Sequence, residues 1–277
     1  MSIDDLGRFG VWRGYLGFSQ EAARELEELG YGALWLGGSP TADLPVVESL
    51  LEATETLTVA TSIVNIWTAP AEQVAESFHR IEGRFPGRFL LGIGAGHPEA
   101  NGERARTPYG ALVDYLDVLD AAGVPKRSRA VAALGPRVLK LAADRSAGAL
   151  PYLVPPEYNR GAREVLGEAL LVSEQKVVLD EDVTRARETG RKMVSMYLNL
   201  VNYVGNLRRS GFSEEDVAQP GSDRLVDVLA IHGSAEQLAK GVTAHLDAGA
   251  DHVAIQPLDD DYIATLRALA AVLPLRG

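Results

Sequence analysis

The sequence predicts an α/β protein: one (β/α)8 TIM barrel, a closed ring of eight parallel strands wrapped by helices, with a helical excursion after strand seven. Short β-like runs alternate with longer segments of helical period along the whole chain, the pattern of parallel strands joined by crossover helices. The chain is 277 residues long, and about 250 residues make one barrel. No low-complexity linker or composition shift divides it, so residues 1–277 read as a single domain. A doubly wound open sheet is the alternative that the same alternation permits.

Strand one is expected in RFGVWRGY (8–15). Ser19 reads as an N-cap, and the helix that follows stops at Gly30. GALWLGG (32–38) is strand two, followed by a helix carrying Val46, Val47, Leu50 and Leu51. LTVATSIVNI (57–66), rich in β-branched residues, is strand three. Pro70 stands near the start of the next helix, where its missing N–H costs nothing. FLLGIGAG (89–96) is strand four, and Thr107 and Pro108 cap and open a helix through Leu119. RAVAALG (129–135) is strand five, with Pro136 opening RVLKLAADR; GALPYL (148–153) is strand six, with a helix from about Glu157 to Leu166. Strand seven lies in ALLVSEQKVVL (169–179). One long helical stretch and a further excursion over 213–231 come next, then the helix SAEQLAKGVTAHLDAG and strand eight, DHVAIQP (251–257).

Composition removes several chemistries. There is no cysteine, which excludes disulfides, iron–sulfur clusters and thiol nucleophiles. No histidine pair has metal-binding spacing with carboxylates, so no metal site is expected. A net charge of −11 opposes nucleic-acid binding, which needs a dense basic face. No apolar run is long enough to span a membrane, and MSIDDLGRFG lacks signal-peptide character; the expected compartment is the cytoplasm.

In such barrels chemistry sits at the C-terminal strand ends. Gly92, Gly94 and Gly96 alternate on one face of strand four, leaving room for a flat ligand or a bulky neighbouring side chain. Small residues filling a tapering barrel are the plain alternative. The spacing is wrong for a dinucleotide fingerprint, and His97-Pro98 follows where a helix should begin. His97 is a candidate hydrogen-bonding or proton-transfer group at the strand end. Gly135-Pro136 is a candidate anion site, because free backbone N–H groups meet the positive end of a helix dipole there, with Arg137 and Lys140 nearby. A Gly-Pro turn alone gives the same letters. Ser39, in GGSP, is not a nucleophile elbow and has no identifiable histidine–acid partner.

These stretches carry a resemblance. LGYGALWLGG, LTVATSIVNIWTAPAEQVAESFHRIEGRFPGRFLLGIGAGHPE, ALGPRVLKLAA and LDAGADHVAIQPL make the sequence similar to the luciferase-like monooxygenase superfamily, in its coenzyme F420-dependent oxidoreductase branch. The resemblance implies a cofactor ring at the strand ends, a non-prolyl cis peptide at Ser62-Ile63 behind it, and Asn65 near the ring or its ribityl chain. It also places Gly135 at the cofactor phosphate. It implies a small-molecule substrate and a homodimer. Relatives that oxidise alcohols or sugar phosphates carry an Asp-His pair after strand two; here Gly38 and Ser39 stand there, and serine is no base at neutral pH.

The expected function is therefore hydride exchange between F420 and an unidentified small organic substrate. Ser62, Ile63, Asn65, Gly94, Gly96, Gly135 and Arg137 are the expected cofactor contacts, with His97 and Ser39 as proton-relay candidates. Arg137, Lys140, Arg160 and Arg163 are expected near an acidic cofactor tail, and Tyr197, Tyr203 and Asn206 on a helix roofing the pocket. The alternatives are an FMN-dependent monooxygenase and a deazaflavin-binding carrier without turnover.

Overall fold

A computed structural model describes residues 6–96 and 107–275. In chain order its strands are β1 (Phe9–Gly14), β2 (Ala33–Gly37), β3 (Thr58–Thr61), β4 (Val64–Asn65), β5 (Phe89–Gly94), β6 (Arg129–Val131), β7 (Gly148–Ala149), β8 (Leu170–Val178), β9 (Ala230–His232) and β10 (His252–Pro257). β1, β2, β3, β5, β6, β7, β8 and β10 pair in parallel in that order, and β10 pairs back to β1. The ring is closed, as expected, and the open-sheet alternative falls.

The barrel strands are buried on both faces, so they read as continuous apolar runs rather than alternating ones. In β2 the inward Ala33 and Trp35 join Ala60, Leu90, Ala130, Leu150 and Ala254 in the barrel interior. The outward Leu34 and Leu36 pack beneath the helices. Small and large residues alternate inside because the narrow interior takes one Trp35 only if alanines face it.

Around the barrel lie α1 (Gln20–Glu28), α2 (Pro45–Ala53), α3 (Ala71–Arg84), α4 (Pro108–Ala121), α5 (Pro136–Arg145) and α6 (Tyr158–Leu166). The local signals act where the sequence places them. The Ser19 hydroxyl accepts from Ala22 N–H, the Thr107 hydroxyl accepts from Gly110 N–H, and Pro136 is the first residue of α5. The expected single helix after strand seven is instead two, α7 (Val183–Tyr197) and α8 (Val201–Arg209), interrupted over 198–200. The short α9 (Glu214–Val217) and α10 (Asp223–Leu229) complete the excursion, which builds its own core from Val194, Leu198, Leu207, Phe212 and Leu225. It returns through β9, which pairs with the last turn of β8 at Lys176–Val178. α11 (Ala235–Asp247), opened by a Ser234–Gln237 capping box, and α12 (Tyr262–Ala270) finish the ring.

Candidate active site

The third barrel strand is broken where the resemblance placed a cis peptide. β3 pairs with β5 through Val59 and Ala60, and β4 resumes the pairing at Val64↔Ile93 and Asn65↔Gly94. Across the gap the Thr61 hydroxyl accepts from Gly92 N–H and donates to Gly92 O, both at 2.8 Å, so the interrupted ladder stays hydrogen-bonded. The Ser62–Ile63 peptide bond in the gap is cis. The detour pushes Ser62 and Ile63 toward the mouth of the barrel.

There they form one side of a cavity of about 530 Å³, within the roughly 300–1,000 Å³ range of small-molecule sites. Ala132–Gly135 and α4 residues Tyr109 and Leu112 form another side. Trp12, Tyr152, Tyr197 and Tyr203 make an aromatic wall. Trp12 is fixed by its indole N–H, which donates to the Ser62 hydroxyl at 3.2 Å. Gly37 makes that placement possible, since a Cβ there would come 2.0 Å from Trp12 Cζ2. Beyond the wall lies a wider mouth of about 1,200 Å³ over β1, β8 and β10, which shares Trp12, Gly14, Gly38 and Tyr197 with the first cavity.

Beneath the wall is an ion pair that the sequence reading did not single out. Glu174 and Lys176 alternate on β8 and both point into the barrel; Lys176 Nζ lies 3.0 and 2.9 Å from the two Glu174 carboxylate oxygens. Their side chains are 5% and 0% exposed. Burial pushes the Glu174 carboxyl up and the Lys176 ammonium down, each partly countered by the other's charge. Burial, with the Glu174 charge next, also raises the Tyr152 hydroxyl well above its ordinary value. The signal was in the sequence: two charged residues at alternate positions of an otherwise apolar strand share one face, and here that face is the barrel interior.

Of the residues expected at the cofactor, Ser62, Ile63, Gly96 and Gly135 line the cavity, and so does Ser39. Ser39 sits in the left-handed region (φ 57°) after Gly38 (φ 79°). Gly94 does not face the cavity. A Cβ there would meet Ala132 Cβ at 2.9 Å and Ile63 Cγ1 at 3.0 Å, so its missing side chain makes room for Ile63. Gly92 likewise yields to Thr61 O, 1.9 Å from where its Cβ would be. Asn65 stands outside the lining and its side-chain oxygen accepts from Trp67 N–H. Arg137 stands at the rim, its guanidinium carbon 3.7 Å from the centroid of the lining Tyr109 ring. His97 lies outside the described residues.

The expected cluster of cations does not assemble. Arg163 donates to Gly167, Ala169 and Gly249 carbonyls and to Asp251, at the N-terminal end of the barrel, away from the mouth. Lys140 pairs with Asp144, and Arg160 is an exposed residue of α6. Helical charge alone does not say which end of a barrel it faces. Tyr197 and Tyr203 do line the cavity; Asn206 is buried, its side-chain oxygen accepting from Arg209. Among the described residues no cluster of histidines and carboxylates could hold a metal, and no helix is long and apolar enough to cross a membrane.

The sequence matches the luciferase-like monooxygenase family over residues 13–252. The chain belongs to that family. Among solved structures it is similar to an F420-dependent secondary alcohol dehydrogenase in complex with an F420-acetone adduct, with a TM-score of 0.76 and 14% identity, covering 98% of this chain and 99% of that one. It is also similar to a coenzyme F420-dependent tetrahydromethanopterin reductase from Methanopyrus kandleri, with a TM-score of 0.73 and 14% identity over 96% and 98% of the two chains. A type II Baeyer–Villiger monooxygenase from Pseudomonas putida in complex with FMN, the oxygenating constituent of 3,6-diketocamphane monooxygenase, gives a TM-score of 0.72 at 14% identity over 96% and 99%. At these identities the likeness establishes the barrel and no more. No curated protein matches the sequence.

Proposed function

We propose that this luciferase-like protein is an oxidoreductase that uses coenzyme F420 to exchange a hydride with a small organic substrate, acting as a cytoplasmic homodimer. The observation that carries the proposal is the cavity itself: a largely apolar chamber with the Ser62–Ile63 detour on one side and the open N-terminus of α5 on another. The residues present fit a ring cofactor with a phosphate. Ile63 and the aromatic wall supply apolar faces, and the Ser62 and Ser39 hydroxyls supply hydrogen-bonding groups. At Gly135 a Cβ would meet nothing within 4 Å, so the space in front of the helix end is free. There the Arg137 backbone N–H, at the positive end of the α5 dipole, would hold a phosphate, since Pro136 has no N–H and Val138 N–H donates to Gly135 O. When bound, the deazaflavin supplies hydride chemistry. With the group bound, the apolar lining around Ile63 would exclude water, and Tyr197, Ser39 and Ser62 would offer hydroxyl donors.

The second reading, an FMN-dependent monooxygenase, draws on one observation: two of the four cations expected at an acidic tail, Lys140 and Arg163, are engaged elsewhere. Titration of the purified protein with F420 and with FMN, followed by fluorescence, separates the two. Saturable F420 binding, weakened by Gly135→Glu at the helix end, is expected. Tight FMN binding with no F420 response overturns the proposal. F420 binding without turnover on carbonyl, enone and alcohol substrates would instead mark a carrier.

A further inference from the structure

The tyrosines of the wall pack on the core of the excursion, but the charge pair buried beneath them is unexplained by packing. Two charges withdrawn from water cost more than their attraction returns unless the geometry is very good, and an apolar pair of similar volume is often at least as stable. Here the pair lies directly under the cavity wall. Lys176 Nζ is 4.0 Å from the centroid of the Tyr152 ring and 5.6 Å from that of Tyr197. Lys176 is two residues nearer the mouth than Glu174 on β8, and its ammonium is packed against the Tyr152 ring. Glu174 also accepts from Leu153 N–H at 3.3 Å.

The hydroxyls above have a defined direction. Tyr152 has one proton and gives it to Gln256 Oε1 at 2.9 Å, so the 3.1 Å contact between Tyr152 and Tyr197 uses the Tyr197 proton. That proton can turn toward a ligand oxygen, because Tyr152 remains bonded to Gln256. Tyr197 lines both the inner cavity and the wider mouth, so an oxygen lodged at their junction is within its reach.

We propose that Tyr197, with Tyr152 behind it and the Lys176–Glu174 ion pair beneath, forms an oxyanion-stabilising site, and that the substrate is a carbonyl compound whose oxygen lies at the junction of the two cavities. Addition of a hydride to a carbonyl carbon moves the C=O π pair onto oxygen, which then takes a proton; the two electrons come from the reduced ring cofactor. Preorganised donors and dipoles aimed at such an oxygen are a general means of lowering that barrier. Tyr197 is the group that touches the oxygen. Lys176 is a positioning residue that acts through the tyrosine rings. The inference rests on the cavity being the reaction chamber, as proposed above, and not on which ring cofactor fills it.

The test needs no cofactor. 4-Nitrophenol is colourless as the phenol and yellow as the phenolate, so its ionisation on the protein is read directly by absorbance across a pH series. The titratable groups facing the probe are Tyr109, Tyr152, Tyr197 and Tyr203 around the inner cavity and Arg13, Tyr15, Asp180, Arg185, Lys192, Asp259 and Asp260 around the mouth, with Lys176 and Glu174 buried beneath the Tyr152 ring. The wild-type protein is expected to hold the phenolate about tenfold more tightly than the phenol, one unit of downward shift for the bound probe. Tyr197→Phe and the double variant Glu174→Leu/Lys176→Met are each expected to abolish that preference while keeping phenol affinity. The double variant is expected to keep or raise its Tm, so that its lost preference is read on a folded protein. Lys176→Met alone, in which the buried Glu174 takes up a proton, gives the same comparison if the double variant folds poorly. No binding, no preference in the wild type, or retention of the preference in Tyr197→Phe or in the charge-removing variant overturns the proposal. Failure here leaves the F420 titration untouched, and an FMN result there leaves the probe result standing.

Discussion

Two buried histidines predict a steep loss of stability between pH 7 and pH 5. His245 lies between α11 and the outer face of β8: Asn159 Nδ2–H donates to its Nδ1 at 3.0 Å, and its Nε2–H donates to Gln175 Oε1 at 2.8 Å. His252 lies inside the foot of the barrel, where Trp35 Nε1–H donates to its Nε2 at 2.9 Å and its Nδ1–H donates to Gly7 O at 2.8 Å. Each ring is neutral with its one acceptor nitrogen facing a donor, so a second proton has no place to go. Burial lowers both, from 6.5 to about 4. The folded values lie below the unfolded one, so within this window the unfolded chain binds more protons. The stability is present above pH 6.5 and is lost as pH falls toward 4.

With a folded value of about 4 and an unfolded value of 6.5, lowering the pH from 7 to 5 removes roughly 2 kcal/mol per histidine, about 4 kcal/mol for both. That is a large share of the roughly 5–15 kcal/mol that holds a folded domain. Glu174, raised by burial, works in the opposite direction, so the comparison belongs to variants and not to the wild-type curve alone. Urea unfolding at pH 7 and pH 5 measures the loss. His245→Gln and His252→Gln start lower at pH 7 but should each lose about 2 kcal/mol less on acidification than the wild type. If both variants lose as much as the wild type across that interval, the histidines are not neutral and buried as described.

Gly37→Ala should leave the barrel folded but drive the Trp12 indole off its seat, since the new Cβ falls 2.0 Å from Trp12 Cζ2; the Trp12–Ser62 hydrogen bond breaks, and F420 affinity falls with little change in far-ultraviolet circular dichroism. Arg163→Ala should do the reverse. It strips hydrogen bonds from three backbone carbonyls and from Asp251 at the far end of the barrel, costing about 2–4 kcal/mol in urea unfolding while F420 affinity stays unchanged; a loss of affinity would return Arg163 to the cofactor.

Most of the barrel was legible because its strands obey local rules: β-branched or apolar runs bounded by Ser19, Thr107 and Pro136, each acting where it stands. The strand-four glycines were legible only as space. Sequence does not say what fills a gap, and Thr61 O and Ile63 claim the room at Gly92 and Gly94 before any ligand does. The break over 198–200 was hidden because Leu198 and Leu200 continue the helical period of the segment. Tyr152, just past β7, and Tyr197, at the end of α7, are 45 residues apart, and no local pattern links them.

Strand β8 ties these parts together. Its four central residues, Ser173, Glu174, Gln175 and Lys176, are all polar and all buried, so the strand is polar on both faces where a barrel strand is ordinarily apolar. On the outer face the Ser173 hydroxyl donates to Asn159 of α6, and Gln175 accepts from His245 of α11. Gln175 Nε2–H also donates to the Val228 and Leu229 carbonyls at the end of α10. On the inner face Lys176 lies under Tyr152 and under Tyr197, the last residue of α7. The excursion is therefore gripped by β8 from outside, while its first helix delivers a tyrosine to the wall over the inner face of the same strand. A hydrogen bond from an amide to a carbonyl is specific in direction and distance where an apolar contact is not. The polar residues fix where the excursion sits, and so hold Tyr197 at the junction of the two cavities.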